Sequence, residues 1–138
     1  MVYYEYTMTD TKECVFCRIV RGEMPNFTVY EDDKYLAFLD VFSRVKGHTL
    51  VIPKEHHRWV YDVPKFGEYW EVAKKVGEKI QKSLESEFVS YVTIGNEVPH
   101  AHIHILPQSG GHMQGFSFQP VIEMSKEEMG ELAKQISN

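Results

Sequence analysis

The sequence predicts an α+β fold: a mainly antiparallel sheet of about five strands with a short N-terminal helix, one long helix and a C-terminal helix. Three observations predict it. Short runs rich in β-branched and aromatic residues stand at 28–31, 35–40, 47–53, 88–94 and 98–107, each bounded by Gly, Pro, Asp or Asn. Between 64 and 84, Phe66, Trp70, Ala73, Val76 or Gly77, Ile80 and Leu84 recur at spacings of three and four, the period of an amphipathic helix. The links Asp32-Asp33 and Gly95-Asn96-Glu97 are short, which suits antiparallel hairpins.

Taken in order, residues 1–10 form a tyrosine-rich arm able to pack through Tyr3, Tyr4 and Tyr6. Residues 14–20 form a short helix with Val15, Phe16, Ile19 and Val20 on its apolar side, ended by Gly22 and Pro25. The first two strands pair as a hairpin around Asp32-Asp33, and the third, Gly47 to Pro53, follows. A charged and aromatic connection carries His56 and His57. Pro64 suits the first turn of the long helix. After the last two strands and a Ser109-Gly110-Gly111 loop, residues 125–136 form a terminal helix opened by a capping box at Ser125 and Glu128.

The chain has 138 residues, 43% hydrophobic and 25% charged, with a net charge of −5. That size supports one domain with its own core. The negative charge argues against an extended nucleic-acid surface, which needs a basic patch, but leaves room for a small phosphate-containing ligand. No apolar run approaches the roughly 18 residues of a membrane span. The first ten residues lack the basic and apolar regions of a secretory signal, so a cytoplasmic location is expected.

The stretch Val98-Pro99-His100-Ala101-His102-Ile103-His104-Ile105-Leu106-Pro107 carries three of the seven histidines at alternate positions. In an extended strand His100, His102 and His104 share one face, each about 7 Å from the next. Imidazoles titrate near neutral pH, and a neutral one is a competent nucleophile toward phosphorus. The middle residue, His102, has a neighbour on each side to orient it and is the best-placed nucleophile. Asn96 offers an amide to a phosphate, and backbone N–H groups near Gly95 and Asn96 are plausible oxyanion donors.

With these motifs in order, the chain resembles the histidine triad (HIT) family of nucleotide-binding hydrolases and transferases, most closely a Hint-like branch with an N-terminal Cys-x-x-Cys. The matching residues are His100 to Leu106, Gly47 to Lys54, the Cys-x-Phe-Cys at 14–17, and the later Tyr30-Glu31-Asp32 and Ala37-Phe38-Leu39-Asp40. The resemblance covers roughly 13–108, which makes that the core of a single 1–138 domain, flanked by an arm (1–12) and a C-terminal segment (109–138). It implies that His102 attacks the α-phosphate of a nucleotide conjugate and carries a nucleotidyl intermediate, with His104 binding phosphate or helping to protonate the leaving group. It implies base contacts from Val15, Phe16 and Ile19 and a ribose contact from Asp40, the alternatives being core packing and a turn residue. It also implies a homodimer joined sheet edge to sheet edge, acting on a purine nucleotide or its conjugate. The sequence departs from the family pattern in the short Asn96-Glu97 approach to the triad and in Pro107-Gln108, where an arginine is frequent. One cationic contact is therefore missing, which argues for a phosphoramidate or adenylated amine and against a dinucleoside polyphosphate.

Cys14-x-x-Cys17 has zinc-ligand spacing, which needs two further ligands. His48 and His100, from two strands expected to be neighbours, are the candidates. Some HIT proteins with this cysteine pair hold a structural zinc in that way. A pair of buried thiols and a redox pair are the alternatives. His56, His57 and His112 are read as surface or packing residues. Two other functions compete with the nucleotidyl hydrolase: a hydrolase with catalytic zinc on the triad itself, and a nucleotide sensor or scaffold without turnover.

Overall fold

Alternation along the central strands divides the molecule into two faces. The structure, a computed structural model, describes residues 11–138, so residues 1–10 of the expected arm lie outside the described residues. Strands β1 (Thr28–Glu31), β2 (Tyr35–Leu39), β3 (Thr49–Pro53), β4 (Phe88–Val92) and β5 (Ile103–Gln108) form one antiparallel sheet in the order β1-β2-β3-β5-β4. Along β2 and β3 nearly every side chain is buried, which requires cover on both faces. Tyr35, Ala37, Val51, Ile103 and Ile105 point to one face, and Leu36, Phe38, Leu50 and Ile52 to the other.

The first face is covered by α2 (Phe66–Leu84), which buries Tyr69, Ala73, Val76, Gly77 and Ile80. Tyr69 is fully buried and its hydroxyl donates to the Val51 carbonyl at 2.5 Å, so the ring packs while its polar end is satisfied. At Gly77 the Tyr91 side chain of β4 lies against the bare backbone, where any Cβ would collide with it. The helix stripe is shifted from the expected one. Tyr69 faces the core, whereas Phe66 and Leu84 at the ends are 47% and 39% exposed. The helix also starts later, capped by Lys65, so Pro64 precedes it.

The second face is covered by α1 (Val15–Val20), which buries Phe16 and Cys17 against Leu36, Phe38, Leu50 and Ile52. Since Ile103 and Ile105 take the α2 side, His104 between them is sent to the α1 side. The predicted hairpin at Asp32-Asp33 is present, its turn held by Asp32 Oδ1 accepting from the Lys34 and Tyr35 amides at 2.8 Å. The capping box at Ser125 and Glu128 is also present and opens α3 (Lys126–Ser137), which buries none of its residues.

The last two strands are antiparallel, but their link is not tight. β4 ends at Val92 and β5 begins at Ile103. Residues 96–100 bend away from the sheet, so only His104 of the three histidines lies within a strand. The expected row of equally spaced imidazoles is therefore absent. Pro99, which can donate no ladder hydrogen bond, stands in this bend.

Candidate active site and metal cluster

Leaving the sheet turns the His100 ring one way and the His102 ring the other. The Nδ1 of His102 lies 2.7 Å from the carbonyl of His100. A carbonyl only accepts, so Nδ1 carries the proton and Nε2 keeps its lone pair. Burial is the largest influence on His102 and pushes its pKa below the ordinary imidazole value. The bond to the His100 carbonyl and the charges of Asp40 and Glu97 oppose that shift. At neutral pH the ring is an uncharged base with a free Nε2.

His104 is set by a second chain of bonds. The Arg44 amide donates to Nδ1 of His48 at 3.0 Å, which places the proton of neutral His48 on Nε2. That nitrogen lies 2.9 Å from Nδ1 of His104 and 3.5 Å from Oδ2 of Asp40. Nδ1 of His104 is thus an acceptor, and its Nε2 carries a proton available as a donor. The His102 and His104 rings meet edge to face with centroids 4.9 Å apart. Burial and the neighbouring His102 and His48 hold the His104 pKa down to about 4.

These residues line a cleft of ≈ 510 Å³, within the usual size range of small-molecule sites. One wall is apolar, formed by Val15, Phe16, Ile19, Phe38 and Leu50, and the other end carries Asp40, Arg44, His48, His102 and His104. Phe16 sets its edge against His102 at 5.3 Å and against Phe38 at 5.5 Å. Gly95, Asn96, Glu97 and Val98 form the rim, with Asn96 and Glu97 exposed. The residues expected to contact a nucleotide, Val15, Phe16, Ile19, Asp40 and Asn96, are thus brought to one cavity with His102 and His104.

His100 belongs to a different group. Its Nε2 lies 2.8 Å from the Pro53 carbonyl, which fixes the proton there and frees Nδ1. That Nδ1 is 3.4 Å from Sγ of Cys14 and 3.5 Å from Sγ of Cys17, while Nδ1 of His56 is 3.2 Å from Sγ of Cys17. All four donor atoms lie within 4.8 Å of one another. A tetrahedral zinc about 2.3 Å from sulfur and about 2.0 Å from nitrogen spaces those atoms about 3.5 Å apart, so the donor set fits such an ion. Neither cysteine is in a disulfide. Burial and the neighbouring Cys14 push the Cys17 thiol up to about 12, so that without a nearby cation it stays protonated.

The family model described as HIT domain matches residues 21–111. This chain belongs to the HIT family. It is 37% identical over 135 residues to an uncharacterised HIT-like protein of Borreliella burgdorferi, covering 91% of this chain and 96% of that protein. It is 29% identical over 133 residues to the adenosine 5′-monophosphoramidase of Saccharomyces cerevisiae, covering 89% of this chain and 80% of that protein. The crystal structure of a HIT family member from Bacillus subtilis superposes with a TM-score of 0.79 at 32% identity, covering 91% of this chain and 95% of the other. No helix among the described residues is long and apolar enough to cross a membrane.

Within this HIT chain one expected ligand changes place. His48 does not join the cysteines; His56, read from sequence as a surface or packing residue, does. His48 sits at the start of β3 and His56 just past its end, so the strand separates them by roughly 17 Å at about 3.3 Å per residue. Only the far end of β3, where Pro53 meets His100, lies beside Cys14 and Cys17. His100 joins the cysteines as expected, but its ring is turned from the cleft, so that only its carbonyl meets His102.

The depressed histidines make stability fall in mild acid. His100 and His104 are both held down to about 4, against 6.5 for an ordinary imidazole. Between those values the unfolded chain binds protons that the folded chain refuses, so stability drops as pH falls. The thermal midpoint of chelator-treated protein should decline from pH 7 to 5.5, fully buried His100 contributing about 1 kcal/mol of loss at pH 5.5. His104→Gln should flatten part of that slope. A midpoint that stays level or rises would show that the two rings charge freely in the fold.

Proposed function

We propose that this HIT protein is a nucleotide-binding hydrolase that acts at the α-phosphate of a nucleoside monophosphate conjugate through a covalent nucleotidyl–His102 intermediate. The observation that carries the reading is the 2.7 Å contact of His102 Nδ1 with the His100 carbonyl, which leaves Nε2 unprotonated on a residue lining the cleft. Nε2 attacks phosphorus, the bond from phosphorus to the leaving nitrogen or oxygen breaks, and its electron pair leaves with that atom. The leaving atom takes its proton from solvent water, with the His104 Nε2–H on hand to hydrogen-bond to it or to a phosphate oxygen. Water then attacks phosphorus, the phosphorus–Nε2 bond breaks with its electron pair returning to His102 as neutral imidazole, and the proton lost by the water passes to solvent. Phe16, Ile19 and Val15 offer an apolar wall for a purine base, and Asp40 keeps a carboxylate oxygen available to ribose hydroxyls.

The charges of the cleft bear on the leaving group. Two carboxylates, Asp40 and Glu97, line it together with one arginine, Arg44. A string of phosphates would meet net repulsion there, whereas a neutral or cationic amine would not. The relationship to a yeast adenosine 5′-monophosphoramidase supports the same class of substrate. His102→Ala should lower turnover of an adenosine phosphoramidate by at least ~10³-fold while AMP affinity changes less than threefold. The wild-type enzyme should favour that compound over diadenosine tetraphosphate in kcat/KM. Turnover that survives in His102→Ala would remove the covalent mechanism, and AMP binding without turnover of any conjugate would make the protein a sensor.

Cys14, Cys17, His56 and His100 would hold a structural zinc, joining α1 to the end of β3 and to the approach to the triad. When bound, the ion would neutralise the thiolates and fix the ligands. Metal analysis should find about one zinc per chain, and Cys17→Ser or His56→Asn should lose it and lower the thermal midpoint. His48→Asn should keep it. Loss of zinc in the His48 variant alone would restore the ligand set expected from sequence.

The proposed assembly is a homodimer, the default for a soluble homo-oligomer. The C-terminal segment supports it by exposing Phe118, Val121, Ile122 and Met129. Light scattering should give twice the chain mass, and a monomer at micromolar concentration would exclude it.

A further inference from the structure

We infer that Arg58 is a positioning residue for the nucleophile, fastening the loop that carries the chain from β4 into His102. This inference rests on the assignment of His102 above, and its test is built to fail separately from it. The loop has little regular structure of its own. Residues 93–95 belong to no element and 96–100 are bends, yet Gly95 to Val98 form the rim of the cleft. Something outside the loop must hold it, because a displacement near 1 Å at a reacting group can cost about 100-fold in rate.

Residues 57–59 hold it at both ends. At the first end, Nη1 of Arg58 donates to the Gly95 carbonyl at 2.6 Å. The guanidinium is itself fixed, lying 3.8 Å above the Trp59 ring. Trp59 also supports the turn from below: Gly95 has φ +74, and a Cβ there would sit 3.2 Å from the indole. Gly95 is thus both left-handed and pressed on the ring, and the arginine closes over the turn. At the second end, the Ala101 amide donates to the His57 carbonyl at 2.7 Å, one residue before the nucleophile. Thr93 Oγ1 completes the closure by donating to the His102 carbonyl at 3.1 Å.

Arg58 is not among the residues that line the cleft, so it does not touch the substrate; its charge also lowers the His102 pKa, an effect Arg58→Lys keeps, and the bond to Gly95 is its hold on the loop. A charged donor on a carbonyl makes a stronger bond than a neutral one. A lysine could keep one such bond but not the planar stacking on Trp59, and methionine keeps bulk without any donor. The two substitutions therefore separate the bond from the packing.

The test compares wild type, Arg58→Met and Arg58→Lys by steady-state kinetics with an adenosine phosphoramidate, AMP affinity by calorimetry, zinc content, and amide hydrogen exchange over residues 94–101. In Arg58→Met kcat should fall at least tenfold, AMP affinity and zinc content should change less than twofold, and exchange over 94–98 should speed up. Arg58→Lys should recover part of kcat and part of the protection. The inference is overturned if Arg58→Met keeps wild-type kcat, or if kcat, AMP affinity or zinc content falls while the loop stays protected. Should Arg58→Met fail to fold, Arg58→Lys decides: unchanged kcat together with unchanged exchange would overturn the inference. Hydrogen exchange needs no turnover, so it reports on the loop even if His102 proves not to be the nucleophile.

Discussion

The hydrogen bond from His102 Nδ1 to the His100 carbonyl is the constraint on which the site depends. In a continued strand, that carbonyl would face along the ladder and the two rings would stand about 7 Å apart on one face. The chain instead leaves the sheet before Ile103, which frees the carbonyl for the neighbouring ring. It also turns the His100 side chain toward the cysteines. One residue thereby serves two sites: its main chain sets the tautomer of His102, and its ring completes the cysteine cluster. The cysteine cluster and His102 are thus joined through a single residue.

Burial makes this arrangement effective. His100 and Thr49 are fully buried, and His48 and His102 nearly so, yet every buried side-chain nitrogen or oxygen among the described residues has a hydrogen-bond partner. A buried unpaired group costs roughly 1–3 kcal/mol, so a cluster this polar is tolerable only when fully connected. Desolvation then keeps the rings uncharged, which is the form a nucleophile needs. Phe16 supplies part of that environment twice over, with its ring edge-on to His100 at 5.8 Å and to His102 at 5.3 Å. A residue of the apolar wall of the cleft therefore also shields the His102 imidazole, so the wall and the basicity of that ring share one side chain.

Much of this was legible from the order of residues. Alternation and helical spacing are local properties, and they located the strands, the long helix and the capping box at Ser125. The motifs around Cys14, Asp40, His48 and His102 named residues that the fold brings to one cavity, Val15, Phe16, Asp40, His48, His102 and His104 among them, because β2, β3 and β5 are neighbours and parity fixes their faces. Where the reading departed from the structure, the deciding contact was long-range. The His100–Ala101–His102 segment has perfect alternation, but Pro99 before it and the His57 carbonyl beside it draw the chain out of the ladder. His48 and His56 are equally good ligands on paper. Which one meets the cysteines depends on which end of β3 lies under α1, and no local pattern records that. Spacing alone puts Phe66 on the buried stripe of the long helix; Tyr69 takes the core instead, its hydroxyl satisfied by the distant Val51 carbonyl, a partner no local pattern records.

The two histidine clusters show how hydrogen-bond partners decide function when donor atoms are similarly close. Asp40, His48 and His104 bring a carboxylate and two imidazole nitrogens within 4.8 Å of one another, as Cys14, Cys17, His56 and His100 bring theirs. Distance alone would allow an ion in either. An imidazole binds a metal through one nitrogen while the other keeps its proton and donates it. His100 meets that requirement, since the Pro53 carbonyl takes its Nε2–H and leaves Nδ1 free. His48 does not, because the Arg44 amide occupies its Nδ1 lone pair and the Nε2 facing His104 must carry the proton. The donor set of the first cluster therefore fits a cation, and the second passes a hydrogen bond. Two backbone groups assign the two roles, the Pro53 carbonyl at the end of β3 and the Arg44 amide in the connection that precedes it.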